Sequence, residues 1–195
     1  CFAALEGGRH GFAFASGLAA STTILSSLTP GDHVLSGDDV YGGTFRLMDK
    51  VMRPLGIDSS RTDMVDVGNV QKALRPTTKM IWLETPTNPM LKVFDIAKIA
   101  ELARERGAML VVDNTFSPLV LSPAQLGADV VIHSLTKFIN GASDIIAGAI
   151  CGDHALIASM MDLHTGALML LGPTMDPRVA FEISLRLPHL AVRMA

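Results

Sequence analysis

The stretch Met80–Thr115, MIWLETPTNPMLKVFDIAKIAELARERGAMLVVDNT, decides the fold of this chain. Its two ends, Met80–Glu84 and Met109–Asp113, are apolar runs without alternation, which is typical of strands covered on both faces. Between them Asp95 is a good N-cap, apolar residues follow at helical spacing, and Gly107 supplies the left-handed residue that ends a helix. The stretch therefore predicts a β–α–β unit with two parallel strands.

The same rhythm extends over most of the chain in both directions. Further strands are predicted at Phe12–Ala15, His33–Ser36, Asp129–His133 and Ile145–Cys151, with a weaker one near Thr62–Val65. We therefore expect an α/β fold, a mostly parallel seven-stranded sheet with helices on both faces. From about His164 the rhythm is lost, and the pattern predicts helix with breaks at three prolines.

Composition excludes several classes of function. The chain has 195 residues, 49% of them hydrophobic, and a net charge of −3, which argues against nucleic acid as the main partner. The uncharged run Gly11–Gly31 holds too many hydroxyl groups for a lipid-facing helix, so no membrane partner is expected. Two cysteines and six scattered histidines favour neither a disulfide framework nor a metal site. These features predict a cytoplasmic protein without a metal.

Polar side chains cluster where predicted strands end and lead into helices. They are Ser16-Gly17, Glu84 to Asn88, Asp113 to Thr115, and Ser134 to Lys137. Ligands of parallel α/β sheets bind beyond the carboxyl ends of the strands. The sequence therefore predicts a ligand site at this edge of the sheet.

Each candidate residue also has an ordinary interpretation. Ser16, Gly17 and Leu18 open a helix whose N–H groups suit an anion, or form a plain N-cap with a packing glycine. Asp113 ends a buried strand, where it either meets a cationic ligand group or caps the next turn. Lys137 is either a nucleophilic amine or a solvated side chain at the sheet edge.

Two further candidates lie on turns rich in glycine or proline. Tyr41, the only tyrosine, precedes two glycines that give its ring room to cover a planar ligand; otherwise it is a surface ring. Asn88 is presented by a turn between Pro86 and Pro89, which is otherwise only a stiffened loop. Taken together, an anion cradle, a carboxylate, a planar stacker and an amine are the parts that hold a phosphorylated pyridine aldehyde.

Five stretches in family order carry a resemblance to a known family. They are FASGLAA (14–20), DDVYGGTFRL (38–47), IWLETPTNP (81–89), VVDNTF (111–116) and HSLTKFINGASDIIAG (133–148). The chain resembles the trans-sulfuration (Cys/Met metabolism) family of pyridoxal-phosphate-dependent enzymes, near cystathionine γ-synthase and γ-lyase. The resemblance implies the fold type I large domain of the aminotransferase-like enzymes over residues 1–163. Residues 164–195 would be a helical segment that leads toward a further domain.

The resemblance also implies roles for the candidate residues. Lys137 would carry pyridoxal 5'-phosphate as an internal aldimine, Asp113 would keep the ring nitrogen protonated, and Tyr41 would stack on the ring and assist proton transfer. The remaining roles are shared by several residues. The backbone at Ser16, Gly17 and Leu18 and the hydroxyls of Ser134 and Thr136 would hold the phosphate, Asn88 would lie near the ring hydroxyl, and Thr115 beside the ring face.

The implied activity is β- or γ-elimination, or γ-replacement, on sulfur-containing or O-acylated amino acids, by a homo-oligomer that is a dimer of dimers. Methionine γ-lyase and O-acylhomoserine sulfhydrylase are alternatives within the family. Family members are roughly twice as long, so the resemblance further implies an upstream arm and a downstream substrate-binding domain. Two stretches depart from the family pattern: Gly141-Ala142-Ser143-Asp144, and Arg186 to Leu190.

Two hypotheses from other classes remain. Ser134 and Lys137 also fit the S-x-x-K motif of acyl-transfer enzymes, although the companion motifs S-D-N and K-T-G are absent. A cofactor-binding regulator without catalysis is the second, but such a protein does not need both Lys137 and Asp113.

Overall fold

A computed structural model describes residues 1–8 and 10–195. Its centre is one seven-stranded sheet, which confirms the predicted α/β fold. The strands are β1 (His10–Phe14), β2 (His33–Gly37), β3 (Asp58–Thr62), β4 (Thr78–Glu84), β5 (Met109–Asp113), β6 (Val130–Ser134) and β7 (Gly148–Gly152). Their order in the sheet is β1-β7-β6-β5-β4-β2-β3.

In the sheet formed by the described residues, one strand runs against the others. The strands from β3 to β6 form parallel pairs, whereas β7 lies between β6 and β1 and is antiparallel to both. Strand β1 consequently points in the same direction as β6. The carboxyl ends of six strands therefore meet at one edge, which is where the sequence predicted the site.

Two predicted strands need correction. The weak strand near Thr62–Val65 lies earlier, at Asp58–Thr62, because a polar edge strand pairs only with β2 and leaves no apolar run to detect. The strand predicted from Ile145 begins only at Gly148, since the residues before it form a loop and Ile146 is exposed. Both corrections change only where a strand begins or ends. The carboxyl ends of the strands at which the site is predicted are not affected.

Helices cover both faces of the sheet. The helices are α1 (Phe2–Glu6), α2 (Gly17–Leu25), α3 (Gly42–Arg46), α4 (Val67–Ala73), α5 (Ile96–Arg106), α6 (His154–Met160), α7 (Ala167–Leu171), α8 (Pro177–Arg186) and α9 (Leu190–Met194). On one face Trp82, Val111 and Ile132 pack with residues of α2. On the other face Leu83 and Val112 pack with residues of α5. No helix in the described ranges is long and apolar enough to cross a membrane.

The predicted helix signals hold where they are local. Asp95 accepts a hydrogen bond from the backbone N–H of Lys98 and begins α5, and Gly107 ends it with φ 61°. Asp66 begins α4 in the same way through the N–H of Gly68. In the last part of the chain, Ile183 of α8 and the first residue of α9 are buried against the segment between β6 and β7 and against Ala149 of β7. The division at residue 163 stays a prediction.

Candidate active site

Three acidic or hydroxyl side chains at the ends of neighbouring strands point to the same face of the sheet. Glu84, Asp113 and Ser134 are the last residues of β4, β5 and β6. Each lies two positions after a core residue on the α2 face of the sheet: Trp82, Val111 and Ile132. Because side chains alternate along a strand, all three project toward the start of α2.

These strand ends form the floor of a cavity of about 860 Å³. All ten residues singled out from the sequence line it, although they come from five separate segments of the chain. They are Ser16, Gly17, Leu18, Tyr41, Asn88, Asp113, Thr115, Ser134, Thr136 and Lys137. The fold therefore brings the whole predicted set together, and the roles given to its members stay predictions.

The start of α2 is free to bind an anion. The Ser16 hydroxyl accepts the N–H of Ala19 at 3.0 Å, and the Ser16 carbonyl accepts the N–H of Ala20 at 3.1 Å. The N–H groups of Gly17 and Leu18 have no acceptor among the described residues. Two unpaired donors and the positive end of the helix dipole fit a phosphate group. The N-cap interpretation of Ser16 is therefore confirmed, and this cap leaves the two donors free for the predicted anion.

A second glycine, which sequence analysis overlooked, lets this turn approach the sheet. Gly148 of β7 lies between Phe14 and Ser134 in the strand register. A Cβ atom at position 148 would lie 2.7 Å from the Gly17 nitrogen and closer still to the Ser16 carbonyl. Backbone atoms at that distance could not move aside without distorting the turn. The absence of a side chain at Gly148 therefore allows the anion-binding turn to lie against the sheet.

Asp113 is held firmly by its own turn. Its Oδ1 accepts the N–H of Thr115 at 3.0 Å and the hydroxyl of Thr115 at 2.5 Å. The Thr115 hydroxyl in turn accepts the N–H of Ser134 at 2.8 Å. Burial raises the pKa of Asp113, and the Thr115 hydrogen bonds oppose this rise. Oδ2 has no partner in the described part of the chain, so it is free to face a cationic ligand group.

Glu84 is the acidic residue that sequence analysis left without a role. Its side chain is buried and lines the cavity beside Asp113, its register partner on β5. Burial, followed by repulsion from Asp113, raises the pKa of Glu84 from 4.5 to about 8. Hydrogen bonds from the backbone of Tyr41 and Asn88 oppose that shift. No local signal in IWLETPTNP distinguishes a strand-end glutamate of this kind from an exposed one.

The raised pKa of Glu84 predicts a pH dependence of stability. Between pH 4.5 and about 8 the folded protein keeps a proton that the unfolded chain releases. The free energy of unfolding of the cofactor-free protein should therefore fall as pH rises, by at most about 1.4 kcal/mol per unit from this group. Urea unfolding at several pH values measures it. Glu84→Gln, which cannot titrate, should flatten the profile, and an unchanged slope in that variant contradicts the assignment.

Lys137 follows β6 in a turn and is exposed to the cavity. Its ammonium group has no hydrogen-bond or ion-pair partner among the described residues, and neither has the Ser134 hydroxyl. Ser134 ends a strand and Lys137 lies in the turn after it, whereas an S-x-x-K acyl-transfer motif opens a helix. The local structure therefore disfavours the acyl-transfer hypothesis.

The hydroxyl of Thr136, which was expected to bind the phosphate, is already hydrogen-bonded to the backbone. Its hydroxyl donates to the carbonyl of Ala147 at 3.2 Å and accepts the N–H of Ala147 at 3.0 Å. The hydroxyl has one proton, and a phosphate oxygen is an acceptor, so a contact with phosphate requires this hydroxyl to rotate. In the present arrangement Thr136 fixes the approach to β7 instead.

Tyr41 and two phenylalanines supply the aromatic part of the wall. Tyr41 is 44% exposed, and the absence of a side chain at Gly43 leaves room for its ring. Phe116 and Phe138, which sequence analysis left without a role, pack edge to face at 5.6 Å. Phe116 follows Asp113 in the chain and Phe138 directly follows Lys137, and both rings line the cavity. The cavity thus offers flat apolar surfaces to a planar ligand.

The two stretches that depart from the family pattern contact one another. Arg186 of α8 binds both carboxylate oxygens of Asp144, at 2.6 and 2.9 Å, and also the side-chain oxygen of Asn140. Arg193 donates to the carbonyl of Ile139 at 2.7 Å. The loop after Lys137 is therefore held by the C-terminal helices despite the changed residues.

Comparison with known proteins gives one family. The family of Cys/Met metabolism PLP-dependent enzymes matches residues 1–195. The chain is 48% identical over 195 residues to methionine gamma-lyase of Arabidopsis thaliana, covering 98% of this chain and 44% of that protein. It is 54% identical over 175 residues to a probable cystathionine gamma-synthase of Herpetosiphon aurantiacus, covering 89% of this chain and 55% of that protein.

Solved structures agree with the sequence comparison. The crystal structure of cystathionine gamma-lyase from Lactobacillus plantarum, complexed with L-serine, superimposes with a TM-score of 0.91 at 40% identity. The match covers 97% of this chain and 49% of that one. The chain thus spans about half the length of the relatives it matches.

Proposed function

The chain belongs to the Cys/Met metabolism family of PLP-dependent enzymes, and from this premise we propose that its protein is a pyridoxal-phosphate-dependent carbon–sulfur lyase or transferase. The reaction is β- or γ-elimination, or γ-replacement, on sulfur-containing or O-acylated amino acids. The named relatives include a methionine gamma-lyase, a cystathionine beta-lyase and a probable cystathionine gamma-synthase. Methionine γ-lyase and O-acylhomoserine sulfhydrylase activities belong to the same proposal.

One observation carries this proposal. A single cavity joins the free N–H groups at the start of α2, the unpaired oxygen of Asp113, the Tyr41 ring and the amine of Lys137. These four groups fit the phosphate, the ring nitrogen, the ring face and the aldehyde of one cofactor. The fit is chemical, because each protein group is the natural partner of the cofactor group it would meet.

Bound pyridoxal phosphate supplies an electron sink for the negative charge that develops when a substrate bond at Cα breaks. The protein holds its phosphate with the N–H groups of Gly17 and Leu18 and the hydroxyl of Ser134. Asp113 keeps the proton on the ring nitrogen, and Thr115 fixes the Asp113 carboxylate. Asn88, which lines the same cavity, would lie near the ring hydroxyl.

Two side chains handle bonds and protons. Lys137 would hold the cofactor through its Nζ, and the same amine would exchange protons at the substrate Cα. Tyr41 covers the ring, and its hydroxyl moves a proton at the substrate. Residues 1–163 form the cofactor-binding part in this proposal. The protein is a cytoplasmic homo-oligomer whose substrate is a small amino acid.

Cofactor attachment to Lys137 tests the proposal directly. The full-length protein should absorb visible light as purified, and borohydride should fix the cofactor to the peptide that holds Lys137. Peptide mapping by mass spectrometry identifies the labelled lysine, and Lys137→Ala should take up no label. A label on Lys50, Lys79 or Lys92 would contradict the assignment, as would a protein that binds no cofactor.

A further inference from the structure

Glu84 occupies a position that the proposed chemistry does not explain. It ends β4 opposite Asp113 of β5, and register partners in a parallel pair point to the same face. Two carboxyl groups therefore lie side by side beneath the cavity. Glu84 is only 3% exposed, so this second carboxyl is almost fully removed from water. Burying a carboxyl is costly unless hydrogen bonds compensate for its lost hydration.

The compensating contacts come from two separate loops. Glu84 Oε2 accepts the backbone N–H of Tyr41 at 2.8 Å, and the backbone of Asn88 favours the charged form of the same carboxyl and so lowers its pKa. Tyr41 follows β2 and is the N-cap residue of α3, whereas Asn88 follows β4. One side chain thus fastens the loop that carries the ring-stacking residue to the loop that carries Asn88.

The anchored residues, Tyr41 and Asn88, are those that would meet one face and the hydroxyl edge of a cofactor ring. Tyr41 is 44% exposed, so its own side chain makes little packing contact that could fix it. Its position depends on the backbone at residue 41, and a main restraint on that backbone is Glu84. Asp113, fixed separately by Thr115, gives the reference point for both loops.

We propose that Glu84 is a positioning residue for the reaction proposed above: by holding the backbone of Tyr41 and Asn88 beside Asp113, it sets how the cofactor ring is seated. This proposal rests on the proposed function, since it concerns the same cavity. It differs from a purely structural role because it predicts a change in the environment of the ring. Loss of the carboxyl should loosen the seat of the ring without removing any group that touches it.

The test uses the full-length holoenzyme with Glu84→Ala, Glu84→Gln and a matched control, Asp129→Asn. Asp129 also accepts a backbone N–H, that of Leu110 at 2.7 Å, but at the opposite end of β5 and outside the cavity. Cofactor affinity is measured by titrating the cofactor-free protein, and ring seating by visible circular dichroism of the bound cofactor. Thermal unfolding and steady-state kinetics are measured on the same samples.

Glu84→Ala should raise the Kd for cofactor about tenfold, a change of about 1.4 kcal/mol, and reduce the visible dichroism. Turnover should fall by a similar factor with KM nearly unchanged. The comparison is made at pH 9, where the wild-type carboxyl is ionised. Glu84→Gln then offers the Tyr41 N–H an uncharged and weaker acceptor, so it should restore about two thirds of the lost affinity on a logarithmic scale. Asp129→Asn should lower the melting temperature and leave Kd and dichroism unchanged.

Either of two results overturns the inference. One is a folded Glu84→Ala protein with lowered melting temperature but wild-type Kd and dichroism. The other, which decides the matter if the alanine variant does not fold, is a Glu84→Gln protein that matches wild type in Kd and dichroism at pH 9, where the wild-type carboxyl is ionised. The wild-type protein separates the two proposals: if it binds no cofactor both fall, whereas a normal holoenzyme with unaffected variants overturns only the role of Glu84.

Discussion

Asp113→Asn should lower kcat/KM by about 10²–10³-fold, or about 3–4 kcal/mol in transition-state stabilisation. In the structure Oδ1 of Asp113 receives both donors of Thr115, at 3.0 and 2.5 Å. An asparagine at this position keeps those contacts only if its oxygen takes the Oδ1 place. Its NH₂ group then faces the cavity, where it presents a donor to the cofactor nitrogen and disfavours the protonated ring.

The expected loss lies in proton removal rather than in cofactor binding. The phosphate donors at Gly17 and Leu18 and the amine of Lys137 are untouched by the substitution, so the holoenzyme should still form. Exchange of the substrate α-proton in deuterated water measures the affected step. Asp129→Asn, the same change at a residue that precedes β6 and contacts the far end of β5, serves as the control. Near-normal exchange in Asp113→Asn would contradict the proposed function as a whole.

Much of this site could be predicted from the sequence because its signals are local. The apolar runs at Met80–Glu84 and Met109–Asp113 locate the two central strands, and their polar last residues locate the carboxyl edge. Parallel strands bring their carboxyl ends together whatever the loops between them do. Lys137 and Asp113 could therefore be assigned to one site before any distance was known.

What could not be predicted depends on contacts between segments that are distant in the chain. Glu84 accepts a hydrogen bond from the backbone of Tyr41, which is 43 residues away in the chain. No sequence pattern around either residue predicts this hydrogen bond. Gly148 is needed because the turn at Ser16 crosses it, which only the sheet order reveals. Strand β7 is antiparallel, and an apolar run carries no information about direction.

The edge strand β3 was misplaced in the sequence analysis for a different reason, which is that its own residues carry no apolar pattern. Residues Asp58–Thr62 are polar or β-branched and half exposed, and they pair with one neighbour only. The strand was predicted near Thr62–Val65 because Met64 and Val65 are apolar, but these two residues lie in the loop before α4. Buried strands are thus found from their composition, whereas an edge strand is defined by its partner.

Tyr41→Phe should reduce turnover about 100-fold while leaving cofactor affinity nearly unchanged, because general acid–base groups contribute at least this much. The contact that holds this residue is a backbone N–H bonded to Glu84 at 2.8 Å, which phenylalanine keeps. The space beside Gly43 that accommodates the ring is also unchanged. The substitution therefore removes the hydroxyl alone and keeps the stacking surface.

Comparison with Tyr41→Ala separates the two roles of the side chain. Alanine removes the ring as well, so it should weaken cofactor binding in addition to slowing turnover, since aromatic stacking contributes about 1 kcal/mol beyond burial. Cofactor titration and the pH profile of kcat on both variants provide the measurement. Phenylalanine should abolish the limb of the profile that belongs to the hydroxyl. If Tyr41→Phe turns over like wild type, the ring acts by stacking only, and the proton at the substrate must be moved by Lys137.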